Sequence, residues 1–202
     1  TQQDDNKVSE NASITPEAYE LSMKGRYYWA RLNTGGFQKS IEAFQKSIAV
    51  DPSYPPSHAG LANAYSFAGY FGMMPPREAF PLSRTVAETA LDLNPGSSDA
   101  LVARGMFWLM YEWDWDRARD DLTLALELSP NSSLAHWAYA QYLMVLGYPQ
   151  ALDSALHALS LDPLSLPIMN LVAFTYMNQG SFAEAMQMDQ EMLSMDPGFA
   201  AA

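Results

Sequence analysis

A proline that returns at near-constant spacing limits this chain more than any other feature. Pro52, Pro95, Pro130, Pro163 and Pro197 lie 43, 35, 33 and 34 residues apart, and four of the five follow Asp or Asn. Each closes an apolar-periodic stretch: FQKSIEAFQKSIAVDP, TVAETALDLNP, LTLALELSP, ALHALSLDP and EMLSMDP. Proline cannot continue a helix and pushes its predecessor out of helical geometry, so each marks a helix end. A second helical stretch, rich in aromatic and small residues, precedes each of these. A two-helix unit repeated at this period buries its apolar face only by stacking on its copies. The predicted fold is therefore all-α, a solenoid of about five helical hairpins over residues 15–202. Residues 1–14 are polar and aperiodic and read as a disordered linker or tail. Thr15-Pro16-Glu17 has the cap, first-turn proline and acidic residue expected at a helix start.

Composition excludes several classes of function. Hydrophobic residues make up 49% of the 202, enough for a packed core. The net charge of −12, with eleven scattered Lys and Arg, argues against a nucleic-acid surface. The absence of cysteine removes disulfides, zinc-thiolate sites and thiol nucleophiles. No run of about eighteen apolar residues is available to span a membrane, and the start lacks the apolar stretch of a signal peptide. Those observations leave cytoplasm and periplasm equally open. No phosphate-binding, zinc-protease or nucleophile-elbow motif occurs. His58 and His136 occupy equivalent places early in the first helix of their repeats, where a packed, hydrogen-bonded side chain is expected. The reading is of a chain without catalytic residues, metal or cofactor.

The repeat pattern resembles that of the tetratricopeptide repeat (TPR) family: a large residue, then Leu-Gly, Tyr, Ala, a large residue and a closing Pro. In the last unit Met169, Val172-Ala173, Tyr176, Gly180, Ala185 and Pro197 fall at the family's intervals, while Asp189 departs from the expected aromatic. Leu61-Ala62, Tyr65, Ala87, Ala90 and Pro95 match in the second unit, and Gly105, Trp108, Ala118, Leu122 and Pro130 in the third. The fourth gives Ala140, Leu143, Ala151, Ala155 and Pro163; the first gives Gly25, Tyr28, Phe44 and Pro52. The resemblance implies a right-handed α-α superhelix. Within that family KGRYYW (24–29), AGLANAY (59–65), PPREAF (75–80), YEWDWDRA (111–118) and DPLSL (162–166) resemble bacterial multidomain regulators, cyclases and kinases. It implies a C-terminal interaction or regulatory segment, with none of the activities of the preceding modules.

Two departures stand out. The second unit carries a surplus within 67–80, AGYFGMMPPREAF, which either folds over the solenoid and buries Tyr70, Phe71 and Met73 or simply lengthens a helix. The third carries Glu112-Trp113-Asp114-Trp115-Asp116 in its turn. Lacking the glycine and spacing of a calcium loop, this stretch is read as structural. Asp114 or Asp116 is expected to cap the next helix, and Trp113 and Trp115 to pack between repeats.

In a TPR superhelix the first helix of each hairpin lines the concave face. Helical spacing nominates a peptide-binding stripe of Arg26, Trp29, Asn63, Ser66, Met106, Leu109, Trp137, Gln141, Met144, Asn170, Phe174 and Met177. With one cation in it, the Lys/Arg clamp by which some TPR domains hold a C-terminal carboxylate is not expected. Its methionines and aromatics suit a protein or peptide partner with an apolar segment; the competing reading is that the chain's own insertion covers the stripe. The function expected is a non-catalytic protein-binding scaffold. A self-association module is the alternative, and an enzyme with a site assembled across repeats a distant third. Met186, Met188, Met192 and Met195 cannot all point inward from the last helix. A longer parent chain or a second copy is therefore expected to cover that end, allowing a homodimer through the last repeat.

Overall fold

The computed structural model describes residues 15–29 and 34–198, and among these every regular element is helical. Ten α-helices follow one another: α1 Pro16–Trp29, α2 Thr34–Val50, α3 Pro55–Tyr70, α4 Pro76–Leu93, α5 Ser98–Phe107, α6 Trp115–Leu128, α7 Ser133–Val145, α8 Ala151–Leu161, α9 Leu166–Asn178 and α10 Phe182–Met195. They pair as five hairpins, and each hairpin packs on the next to form a helical-repeat solenoid. The second helix of every hairpin stops two residues before the recurring proline.

The turns are built from side chains that satisfy the backbone groups a helix end leaves free. Asp51, Asn94 and Asp196 each accept from the N–H two residues on, at 3.0, 3.1 and 2.9 Å. Ser97 and Ser132 then cap α5 and α7, accepting from Ala100 and Ala135. Asp114 caps α6 through the Arg117 N–H at 3.1 Å. Thr15 lends its hydroxyl instead to Asp51 Oδ2, at 3.1 Å, tying the start of α1 to the first Asp-Pro turn. His58 and His136 each place Nε2 2.8 Å from the carbonyl of the proline six residues back, Pro52 and Pro130. His58 is buried in doing so.

Within a hairpin the two helices meet through small residues. Ala62 of α3 lies with Ala87 of α4 and Ala103 of α5, all at 0% exposure, and Ala118 and Ala125 are equally buried on α6. The approach is close enough for buried serines to cross it. Ser40 and Ser47 donate to the Gly25 and Ala18 carbonyls (2.9 and 2.6 Å), Ser83 to Ala62 (2.8 Å) and Ser98 to Ala125 (3.0 Å). Phe44 fills the gap between the first two hairpins. A Cβ on Gly25 would lie 2.7 Å from its ring, and one on Gly60 closer still.

Two sequence expectations change. Trp113 and Trp115 do not pack between repeats: they are 65% and 46% exposed. A π-helical turn, Trp108–Glu112, extends α5, and Trp113 ends it in the left-handed conformation (φ 58°), so Trp108 takes the interior place. The Trp108 indole donates to Asp121 (3.2 Å), which also holds Arg104 through two bonds of 2.8 and 2.7 Å. The surplus in the second unit lengthens both α3 and α4 and also turns aromatics inward. Tyr70 and Phe71 pack against the core, whereas Met73 remains 37% exposed at the turn.

Gly60→Ala is expected to cost about 2 kcal/mol through overpacking against Phe44. Adding Phe44→Leu should make the pair cost less than the sum, measured by urea melts. Asp121→Ala leaves a half-buried guanidinium and an indole N–H without their acceptor, and should cost about 3 kcal/mol in the same melts.

Candidate functional site

The first helices of the hairpins, α1, α3, α5, α7 and α9, form the inner wall of the solenoid. Most of the predicted stripe lies in that wall but does not face solvent. Asn63, Ser66, Met106, Leu109, Trp137, Gln141 and Asn170 are all buried, the most exposed of them at 4%. Trp29 and Met144 are half-buried, while Arg26, Phe174 and Met177 are exposed. A continuous open stripe is thus corrected to a closed centre with accessible ends.

The elongated α3 causes the closure. Its last turns cross the concave side and meet α7 directly, although α5 lies between them in the chain. Phe67 stacks on Trp137 with ring centres 4.7 Å apart, and Tyr70 meets the same indole edge-on at 5.8 Å. The Tyr70 hydroxyl accepts from Gln141 Nε2. Burial pushes its pKa up, against the opposing effect of that bond. Trp29 of α1 packs edge-to-face on Phe67 at 5.1 Å, so aromatic rings from three hairpins fill the groove.

This closed face retains polar character. Ser22 Oγ, Trp29 Nε1, Asn63 Oδ1, Ser66 Oγ and Gln141 Oε1 are buried side-chain atoms that make no hydrogen bond, and all five belong to inner helices. Asn63 spends its amide N–H groups on the Ala59 and Asp99 carbonyls, at 3.0 and 2.8 Å. Arg26, the stripe's one cation, lies 3.9 Å from Asp99.

Where the aromatic filling ends, a cavity of about 260 Å³ remains. Trp29, Phe67 and Trp137 form one side, Leu134 and Ile168 another, and Asp162, Leu164 and Ser165 of the α8–α9 turn stand at its edge. Leu164, 74% exposed, projects from that turn. Helical spacing in the sequence is enough to find Trp29 and Trp137. It misses the turn residues, because spacing of that kind addresses only helix faces. The signal available was Leu164 itself, an apolar residue at a turn position where Ser53, Gly96, Asn131 and Gly198 stand in the other repeats.

Among the described residues no group of three or more His, Asp or Glu is placed to hold a metal ion, and no helix is long and apolar enough to cross a membrane. The acidic turn is engaged locally: Asp114 pairs with Arg117 at 3.3 Å and Asp116 with Arg119 at 3.1 Å.

No family model and no curated protein matches the sequence. Solved structures do match the fold. TTC0263, a thermophilic TPR protein of Thermus thermophilus, superposes with a TM-score of 0.68 at 16% identity, over 90% of this chain and 93% of that one. YrrB, described as a TPR protein with an unusual peptide-binding site, gives 0.50 at 17% identity, over 93% and 89%. The first TPR of Spaghetti (RPAP3), bound to the HSP90 peptide SRMEEVD, gives 0.50 at 24%, over 65% of this chain and 96% of that one. At these identities the likeness is one of fold, and the fold is that of TPR proteins.

Proposed function

We propose that this chain is a non-catalytic scaffold that binds a protein or peptide segment at the open end of its concave face. The carrying observation is the cavity of about 260 Å³, walled by Trp29, Phe67 and Trp137 and bordered by the exposed Leu164. Apolar walls with a few polar groups at the edge make a recognition pocket, and an exposed aliphatic side chain beside it suits an apolar segment of a partner. Peptide-bound or peptide-binding neighbours of the same fold support the reading. The binding stripe contracts to Trp29, Trp137 and Met144 with the exposed Phe174 and Met177 of α9. The resemblance at 24–29, 59–65, 75–80, 111–118 and 162–166 makes the solenoid, in this proposal, the interaction segment of a bacterial multidomain regulator.

Leu164→Ser tests the pocket without disturbing the core, since Leu164 is mostly in solvent. Against a partner segment identified by cross-linking and resynthesised as a peptide, calorimetry should show affinity falling about tenfold, or about 1.4 kcal/mol. The melting temperature should not move. Wild-type affinity in this variant would remove the pocket from the proposal.

A second reading, self-association, draws on the last hairpin. Phe182 and Met186 of α10 are 64% and 61% exposed, with Leu193 and Met195 also in solvent. Single large apolar residues in solvent are common, but a group on one short helix marks a surface that gains from being covered. Light scattering over a range of concentrations should show a dimer that Phe182→Glu with Met186→Glu returns to monomer. A wild-type chain that stays monomeric throughout leaves the scaffold reading alone.

A further inference from the structure

The α8–α9 turn differs from its counterparts in what its polar groups do. At Asp51, Asn94 and Asp196 the side-chain oxygen accepts from the N–H two residues on. Asp162, at the same place, makes no such bond and no ion pair among the described residues. Ser97 and Ser132 cap the helices that follow their turns. Ser165, the equivalent N-cap of α9, makes no side-chain cap bond. Both released groups border one cavity, and Trp29, Phe67 and Trp137 stand in its wall. One carboxylate and one hydroxyl are therefore held ready at the edge of an apolar space by a turn that forgoes its usual internal bonds.

Their chemistry selects an occupant. A free carboxylate favours a cation, and Asp162 is the one charged residue among those described that lines the cavity. The walls favour a methylene stem, and a space of about 260 Å³ has room for a long side chain. Lysine and arginine combine an apolar stem with a charged head. An anion finds little at the start of α9. Pro167 has no N–H there, and the Ile168 N–H is taken by the Ser165 carbonyl at 3.1 Å.

We infer that this cavity is an anchor for a lysine or arginine side chain of an extended partner segment. The stem lies against Trp29, Trp137, Leu134 and Ile168, and the cation meets Asp162 and Ser165. This deepens the proposed scaffold function and rests on it. It also sets the chain apart from the neighbour holding SRMEEVD, a peptide with three carboxylate side chains.

The five indole N–H signals of the ¹⁵N-labelled chain give a direct readout, with Trp29 identified through Trp29→Phe. A short capped peptide with a central lysine between leucines should shift the Trp29 signal saturably. Its glutamate counterpart should bind about tenfold more weakly, and Asp162→Asn should erase that difference. The melting temperature of Asp162→Asn should be unchanged, because the carboxylate makes no bond in the fold. Equal binding of the two peptides to wild type, or an unaltered preference in Asp162→Asn, overturns the inference but leaves the scaffold reading standing. The same holds if the Trp29 signal is indifferent to the lysine peptide while a native partner still depends on Leu164. If n-hexylammonium alone shifts Trp29 as tightly as the peptide does, a free amine replaces the peptide as occupant and the inference falls.

Discussion

Everything in this solenoid depends on how closely the two helices of a hairpin approach. Ser40, Ser47, Ser83 and Ser98 each donate from one helix to a backbone carbonyl of its partner. A helical carbonyl has a second lone pair for such a bond, but only helices nearly in backbone contact bring it within reach. That distance admits alanine, glycine and serine and little else. Large side chains are therefore driven to the gaps between hairpins and to the concave side. Phe44, against Gly25 of its own hairpin and Gly60 of the next, shows the first outcome; Phe67, Trp137 and Trp29 show the second.

The concave side then has to accommodate rings from hairpins that curl toward one another. In a solenoid with helices of uniform length these would line an open groove. Here α3 and α4, at 16 and 18 residues, outreach the helices after them. Phe67 and Tyr70 consequently arrive on top of Trp137, and Gln141 finds Tyr70 across 71 positions of sequence. Closing the groove buries apolar surface, which favours folding. It also leaves Asn63, Ser66 and Gln141 with oxygen atoms that make no hydrogen bond, and a buried acceptor without a donor is unfavourable. The apolar gain and the polar loss come from the same geometry.

Much of the architecture was legible because it rests on local rules. Proline ends helices wherever it stands, so Pro52 through Pro197 give the helix ends directly, and alanine spacing gives the hairpin contacts. His58 and His136 read correctly as hydrogen-bonded side chains because equivalent positions in two repeats invite one explanation, though only His58 is buried. A cap from Asp114 or Asp116 follows from their place before an apolar-periodic run, and Asp114 is the one that fills it. The stripe was harder. Helical spacing places Asn63, Met106, Leu109 and Gln141 on the inner face, but burial there depends on what α3 brings across from another hairpin. Trp113 and Trp115 failed for a related reason: one extra residue in the π-turn rotates the tryptophans after it away from the interior. Side-chain direction after such an insertion cannot be read from composition.

Charge placement separates the α8–α9 end of the concave face from the first three hairpins. Arg84, Arg117 and Arg119 pair with Glu88, Asp114, Asp116 and Asp120 on α4, α6 and the turn before α6. Arg104 is held by Asp121, and Arg26 faces Asp99. Arg84 and Arg117 also lie over the Trp108 ring, at 5.0 and 4.8 Å, where the negative ring face stabilises a cation. These arginines are thereby committed within the first three hairpins, with acids as close neighbours. Those pairs engage five of the 11 basic residues and six of the 23 acidic ones, so the acids outside them outnumber the cations. The α8–α9 turn lies beyond them, and its Asp162 carboxylate is left to solvent beside an apolar cavity. A carboxylate in that position raises the local concentration of cations and repels anions over about a Debye length, ~8 Å at physiological salt. That places one unpaired negative charge directly beside the apolar cavity of the inner face.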